Sequence, residues 1–165
     1  NDEIPAITTP YFNFFELDVL CRMGKLTEVL DKIRSYWGGM LVLGAVTFWE
    51  EYDPSVPKEE QYDMYGDHFG KSLCHAWAAS PIYFLAKYFA GLDLVNKDGV
   101  TYILKPQMQY FTELDCTLPV GSNGVVRLVW DGEILEITPN ADGGILELGE
   151  QKLFLVRGET RRVKI

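Results

Sequence analysis

The sequence predicts an α+β fold, in which helices come first and a small antiparallel β-sandwich follows. Up to Gly91, apolar residues recur every three or four positions, which is typical of helices with one buried face. After Gly91, short β-branched runs alternate with Gly, Asp, Asn and Pro, which is typical of strands joined by tight turns. The length of 165 residues allows two small domains. We therefore predict one domain over residues 1–95 and a second over residues 96–165.

Two helices joined by a short loop are predicted near the start of the chain. Thr9 is a suitable N-cap, and Pro10 fits the first turn, where no backbone N–H is needed. The first helix is expected to end at Gly24, and the second to run from about Thr27 to the pair Gly38-Gly39. The predicted apolar face of the first helix consists of Phe14, Leu17, Val19, Leu20 and Cys21. That of the second consists of Val29, Leu30, Ile33 and Trp37.

A long loop is predicted between the second helix and a third helical stretch. Residues 40–70 show no clean period, and Pro54 and Pro57 interrupt them, so we expect a loop with one short helical turn. Helical spacing returns over Lys71–Ala90, where Pro81 predicts a kink or two stacked pieces. Gly91 is expected to end this stretch.

Six to eight strands are predicted after residue 100. They include Thr101–Lys105, Phe111–Leu118, Val125–Trp130, Glu133–Thr138, Ile145–Leu148, Lys152–Val156 and Arg161–Ile165. The tetrapeptide Trp130-Asp-Gly-Glu133 predicts a hairpin with a two-residue turn. Short strands at this spacing favour a small β-sandwich.

The composition argues against several classes of partner. Lys and Arg number 15 against 24 Asp and Glu, a net charge of −9, so no nucleic acid and no anionic membrane surface is expected to bind. No apolar stretch approaches the roughly 20 residues of a membrane span. Aromatic residues make up 13% of the chain, which suits either a dense core or a surface that stacks on sugars. The cellular compartment stays open.

No metal and no cofactor is expected. Cys21, Cys74 and Cys116 are scattered and form no CxxC pair, so we predict buried free thiols rather than a zinc site. Asp63 and Asp67 leave a weak alternative, a calcium or magnesium site in the long loop.

Acidic and aromatic residues are most concentrated in the segment Trp49-Glu-Glu-Tyr-Asp53. Carboxylates beside aromatic rings are the groups that carbohydrate hydrolysis uses, although a solvated acidic loop has the same composition. His75 is predicted to lie early in a helix, where it either binds a ligand hydroxyl or is satisfied inside a helical core. His68, in a loop rich in Gly and Asp, is predicted to lie on the surface.

Four segments in order and spacing resemble family 78 glycoside hydrolases, the bacterial α-L-rhamnosidases. They are Ile7-Thr-Thr-Pro-Tyr-Phe-Asn-Phe-Phe-Glu16, Tyr36-Trp-Gly-Gly-Met40, Gly44-Ala-Val-Thr-Phe-Trp-Glu50 and Ser72-Leu-Cys-His-Ala-Trp77. The resemblance implies that residues 1–95 are the last helices of a six-hairpin (α/α)6 barrel and that residues 96–165 are the family's C-terminal β-sandwich. In the β part the resemblance is carried by Gly121, Gly124 and Trp130.

The resemblance also implies roles for particular residues. The family's general base falls on Glu50, and its sugar-binding histidine falls on His75. Trp49 and Trp77 are expected to complete the substrate-binding site, with L-rhamnose-containing glycosides as substrates. Val46 stands where the family often has Thr.

The family's general acid has no counterpart in this sequence. Asp2 and Glu3 are acidic, but their surroundings do not match that part of the family. A six-hairpin barrel needs roughly 190 residues, at about 11 per helix and 5 per connection, which is more than the helical part supplies. The chain also begins at Asn1 rather than Met.

We therefore expect a C-terminal fragment of an inverting glycoside hydrolase, inactive alone, whose partner is the rest of the parent catalytic chain. Exposed helix faces predict self-association of the fragment. The alternative is a non-catalytic carbohydrate-binding or interaction module.

Overall fold

The computed structural model describes residues 7–96, 101–122 and 124–165 and divides into two compact units between Phe84 and Leu85. The first unit consists of helices and a long loop, and the second is built mainly from two β-sheets. The predicted mixed α+β class is therefore confirmed. The assignment of residues 1–95 to part of a helical barrel stays a prediction.

Helix α1 spans Pro10–Arg22 and begins as predicted, with Thr9 extended before it and Pro10 as its first residue. Its buried residues are Pro10, Asn13, Leu17 and Cys21, and the last three follow one another at four-residue spacing. Val19 was expected on this face but is 55% exposed. Two positions from Leu17 correspond to more than half a helical turn, so Val19 lies on the opposite side.

A second helical stretch is longer than the sequence predicted. Helix α2 spans Leu26–Lys32, a π-helical turn follows over Ile33–Trp37, and helix α3 spans Gly38–Val42. The prediction that Gly38-Gly39 ends the helix is therefore wrong. Gly39 has a packing role instead, because a Cβ at this position would overlap the Tyr52 ring.

The long loop is confirmed, with a 3₁₀ turn at Lys58–Glu60. The predicted helix over Lys71–Ala90 is wrong in its first part. A 3₁₀ turn covers Ala76–Ala78, and helix α4 covers Ser80–Phe84. Pro81 lies in the first turn of α4, where it does not kink the helix.

Packing in the first unit brings α1 against α2, α4 and the Ala76–Ala78 turn. Leu17, Val29 and Phe84 are fully or almost fully buried there. The buried Trp37 indole donates a hydrogen bond to the Ala78 carbonyl at 2.9 Å, which ties the second helical stretch to the turn. None of the helices in the described residues is long and apolar enough to cross a membrane.

The second unit starts with a π-helical turn at Leu85–Phe89, and a 3₁₀ turn covers Met108–Tyr110. Its strands are β1 Leu92–Leu94, β2 Tyr102–Leu104, β3 Leu114–Val120, β4 Gly124–Trp130, β5 Ile134–Pro139, β6 Gly144–Leu148, β7 Gln151–Leu155 and β8 Arg161–Lys164. One sheet has the order β1-β2-β6-β7 and the other the order β3-β4-β5-β8. Strand β1 was missing from the sequence prediction.

A single buried cluster joins the inward faces of the two sheets. Tyr102, Leu104, Leu146 and Leu155 come from one sheet, and Val126, Leu128, Leu135 and Ile137 are among those from the other. The predicted β-sandwich is thus confirmed, except that β2 and β6 pair in parallel rather than antiparallel. A hairpin joins β4 and β5 where predicted, but the two-residue turn between Trp130 and Glu133 is wrong, because Trp130 pairs with Leu135 and four residues separate the paired positions.

Candidate active site

Two extended segments of the first unit lie side by side around Glu50. The Glu50 N–H donates to the Ser72 carbonyl at 2.9 Å, and the His75 N–H donates to the Phe48 carbonyl at 2.8 Å. The Thr47 hydroxyl donates to the Leu73 carbonyl. These bonds explain why the predicted helix is absent before residue 76. Backbone groups that pair with residues 48–50 are not available for helical bonds.

The Glu50 carboxylate is half-buried and fixed at both oxygens. Oε1 accepts the Tyr65 hydroxyl at 2.7 Å, and Oε2 accepts the Ser72 N–H at 3.1 Å. The Tyr65 hydrogen bond, followed by that of Ser72, holds the pKa of Glu50 below its usual range. Lys71 and His75 act in the same direction through their charge. Glu50 is therefore ionised at neutral pH, as a general base must be.

Trp49, the residue before Glu50, is buried rather than open to solvent. It is 3% exposed, and its ring meets the Tyr62 ring edge-on at 5.7 Å between centroids. A side chain buried to this degree helps to fix the backbone next to Glu50. Its predicted role in substrate binding stays a prediction.

His75 and Trp77 form the accessible part of the site. His75 has extended backbone angles, φ −114° and ψ 108°, and not the helical ones predicted. Its ring is 5.9 Å from that of Trp77, which is 69% exposed and also contacts Tyr11 at 5.4 Å. An exposed indole beside an imidazole offers an apolar plane and a hydrogen-bonding edge to a ligand.

Glu51 points to a different set of partners. Its Oε1 accepts the Thr8 hydroxyl at 2.8 Å, and its Oε2 lies 3.8 Å from the Lys71 ammonium. The Lys71 side chain is 3% exposed, and its burial lowers its pKa. Glu50 and Glu51 are both half-buried, but their carboxylates have different partners.

Sequence reasoning missed Tyr65, Lys71 and Ser72. Tyr65-Gly66 is a turn-forming pair, but nothing along the chain indicates that this turn brings a phenol to a residue 15 positions earlier. The Ser72 contact is made by its backbone N–H, which carries no sequence signal at all. Lys71 looks like an ordinary surface lysine in the sequence.

The remaining candidate residues have other partners. Asp63 pairs with His68 at 2.6 Å, and Asp67 accepts the Phe69 N–H. His68 is on the surface, as predicted. Within the described residues, no group of three or more His, Cys, Asp or Glu side chains is placed to hold a metal ion.

All three cysteines are free, but the prediction that they are buried is wrong for Cys74, which is exposed, and only partly right for the half-buried Cys116. Cys74 lies in the extended segment 72–75 rather than on a buried helix face. Asp2 and Glu3, the acidic residues considered near the N-terminus, lie outside the described residues.

The fold resembles part of a solved glycoside hydrolase. A crystal structure of a GH78 family rhamnosidase of Bacillus sp. GL1 matches with a TM-score of 0.65 and 24% sequence identity. The match covers 87% of this chain and 15% of the rhamnosidase. No protein-family model and no curated protein matches the sequence.

This similarity establishes a fold like that of a segment of a family 78 glycoside hydrolase. The chain spans about 15% of the length of the rhamnosidase that it matches. The similarity of fold agrees with the resemblance seen in the sequence segments, while residue roles and activity are separate questions.

Proposed function

We propose that this chain is the C-terminal part of an inverting glycoside hydrolase and that Glu50 is its general base. The observation that carries the proposal is the Glu50 carboxylate, which is hydrogen-bonded at both oxygens. The charge of the half-buried His75 acts on it, and the His75 ring contacts the exposed Trp77. The fold similarity to a GH78 family rhamnosidase supports the reaction class.

In the proposed reaction, Glu50 takes a proton from a water molecule while the water oxygen attacks the anomeric carbon. The bond from that carbon to the glycosidic oxygen breaks, and a general acid protonates the leaving oxygen. In an inverting enzyme the two carboxyl groups lie about 6.5–9.5 Å apart, which leaves room for the water. The acid is proposed to come from the remainder of a longer catalytic chain.

L-rhamnose-containing glycosides are the proposed substrates. His75 is proposed to contact sugar hydroxyls, Trp77 to pack on an apolar sugar face, and Trp49 to support Glu50 from behind. The solved protein with a similar fold is named a rhamnosidase, which favours this sugar over other glycosides.

The exposed apolar surface of the first unit favours a further part of the protein that packs on it. Along α1 and at the residue that follows it, the apolar residues Tyr11, Phe15, Val19 and Met23 are exposed at four-residue spacing, opposite the buried face of the helix. A helix that is apolar on both sides is typical of the interior of a larger protein. We propose that the rest of the catalytic chain covers this face, and that the isolated chain associates with itself through it.

The stereochemistry of the product tests the reaction class. A longer protein containing this sequence is given an aryl α-L-rhamnoside, and proton NMR records the first product formed. Inversion predicts β-L-rhamnose as the initial anomer. Initial release of α-L-rhamnose would contradict the proposed mechanism.

Titration of the isolated chain with L-rhamnose separates the enzyme proposal from the binding-module alternative. We expect no hydrolysis by the isolated chain, because it carries the base without the acid. Binding without hydrolysis by both the isolated chain and the longer protein would favour the non-catalytic module. Hydrolysis by the isolated chain at rates typical of glycosidases would contradict its being only a part of the catalytic site.

A further inference from the structure

Tyr65 is an exposed residue whose hydroxyl donates a hydrogen bond to the Glu50 carboxylate. It lies in a tight turn in which the Met64 N–H donates to Asp67 and the Asp67 N–H donates to Met64, each at 3.0 Å. From this turn the phenol reaches across to Glu50 Oε1 at 2.7 Å. We propose that Tyr65 is a positioning residue that fixes the Glu50 carboxylate for reaction with water.

The backbone of the turn is unfavourable for tyrosine. Tyr65 has φ +56° and Gly66 has φ +80°, so both central residues are in the left-handed region, as in a type I′ turn. Asn, Asp and Gly are preferred at such positions, and Tyr65 is the one non-glycine residue in the described part of the chain with positive φ. A conformation kept against its preference points to a function that the side chain performs.

Packing does not account for Tyr65 either. The residue is 79% exposed, so its ring gains little from burial. The hydroxyl group is the part of the side chain with a defined partner, and that partner is Glu50. The positive φ and the exposure of Tyr65 are both explained if the turn serves to present the Tyr65 hydroxyl to Glu50.

The geometry has a direct consequence for the carboxylate. An ionised carboxylate has about four lone-pair positions. Tyr65 and the Ser72 N–H occupy one on each oxygen, which fixes the plane of the group and leaves a position on each oxygen open to water. A base held in one orientation loses less conformational freedom when it meets its water.

This inference rests on the proposed role of Glu50, but its test does not need catalysis. Carbon-13 NMR of the glutamate carboxyl groups follows the titration of Glu50 in the isolated chain, with Glu50→Gln identifying the signal. Tyr65→Phe removes only the hydroxyl, and the pKa of Glu50 is expected to rise toward the ordinary glutamate value. Tyr110→Phe removes a hydroxyl from the second unit and is expected to leave the pKa of Glu50 unchanged. An unchanged pKa of Glu50 in Tyr65→Phe would overturn the inference.

A second variant tests the conformational part and guards against a fold defect. Tyr65→Asn and Tyr65→Phe both lose the hydroxyl that bonds Glu50, but only Asn suits the positive φ. We expect the Tm of Tyr65→Asn to lie about 2–4 °C above that of Tyr65→Phe, while the pKa of Glu50 rises in both. A Tm of Tyr65→Asn at or below that of Tyr65→Phe would overturn the claim that tyrosine is kept against its backbone preference. Failure of the proposed function is a different result, namely full activity of Glu50→Gln in the longer protein.

Discussion

Glu50 stays ionised to a lower pH than an ordinary glutamate because its carboxylate accepts hydrogen bonds from two other segments of the first unit. Tyr65 makes the largest contribution to its lowered pKa and the Ser72 N–H the next, and burial acts in the opposite direction. Glu51, the next residue, is held by Thr8 and Lys71. Two neighbouring glutamates thus have different surroundings, which is the basis for proposing a catalytic role for only one of them.

The pH dependence of stability follows from the sign of this pKa shift. The folded-state pKa of Glu50 is below its ordinary value of 4.5, so the ionised form stabilises the fold. This contribution is fully present above the unfolded-state pKa and is lost as pH falls through the lower folded-state pKa. We expect the Tm difference between wild type and Glu50→Gln to be constant from pH 6 to about pH 5 and to shrink toward pH 3.

Thermal melts of the isolated chain in that pH range measure this difference. Glu59→Gln, at an exposed position of the same loop, serves as the comparison for a general effect of removing one acid. A Tm difference for Glu50→Gln that grows as pH falls would contradict the direction of the shift.

Elements whose formation depends on neighbouring residues could be predicted from the sequence, and those fixed by distant contacts could not. Thr9 and Pro10 predict the start of α1, and Gly132, with φ +95°, predicts the turn between β4 and β5. These elements can be predicted because the signals act within a few residues. Residues 71–75 have helical spacing, yet they pair with residues 48–50, and this pairing is visible only in three dimensions. The resemblance to a family predicts Glu50 and His75 as site residues, whereas the contact of Tyr65 with Glu50 is visible only in the folded turn.

Substitutions in the Gly38-Gly39 pair test why these glycines do not end the helix, as the sequence predicted. Gly39→Ala is expected to lower stability by about 1–3 kcal/mol, because its Cβ would overlap the Tyr52 ring. Gly38 has open space around its Cβ position and helical angles, φ −61° and ψ −34°, so Gly38→Ala is expected to raise stability by about 0.5–1 kcal/mol.

Urea unfolding of both variants measures the two changes in the same helix. We expect the free energy of unfolding to fall in Gly39→Ala and to rise in Gly38→Ala. Similar effects of the two substitutions would show that Gly39 has no special packing role.

The two units of the molecule differ in how far their apolar surfaces are covered. The sandwich of the second unit buries the inner faces of both of its sheets in one cluster. The first unit leaves an apolar row on α1 and the exposed residues Leu41, Val42 and Val46 uncovered. The first unit also has an apolar pocket of about 220 Å³. Its lining residues are Trp37, Met40, Leu41, Ala45, Val46, Thr47 and Phe48. A larger catalytic domain around the first unit would explain these surfaces.

Exposed apolar surface of this kind predicts that the isolated chain associates with itself in solution. We expect light scattering to show dimers or larger species as concentration rises, and Phe15→Glu, on the exposed row of α1, to reduce them. Phe154→Glu changes an exposed phenylalanine of the second unit and serves as the control. A clean monomer at high concentration, or equal effects of the two substitutions, would contradict association through α1.

Glu50 is proposed as the base of an inverting glycoside hydrolase, and turnover measures this role most directly. An aryl α-L-rhamnoside is given to a longer protein containing this sequence, as wild type, Glu50→Gln and Glu51→Gln. We expect a loss of about 10²–10⁴-fold in kcat for Glu50→Gln and a much smaller loss for Glu51→Gln. A loss of less than about tenfold for Glu50→Gln, below what removal of a general base causes, would contradict it.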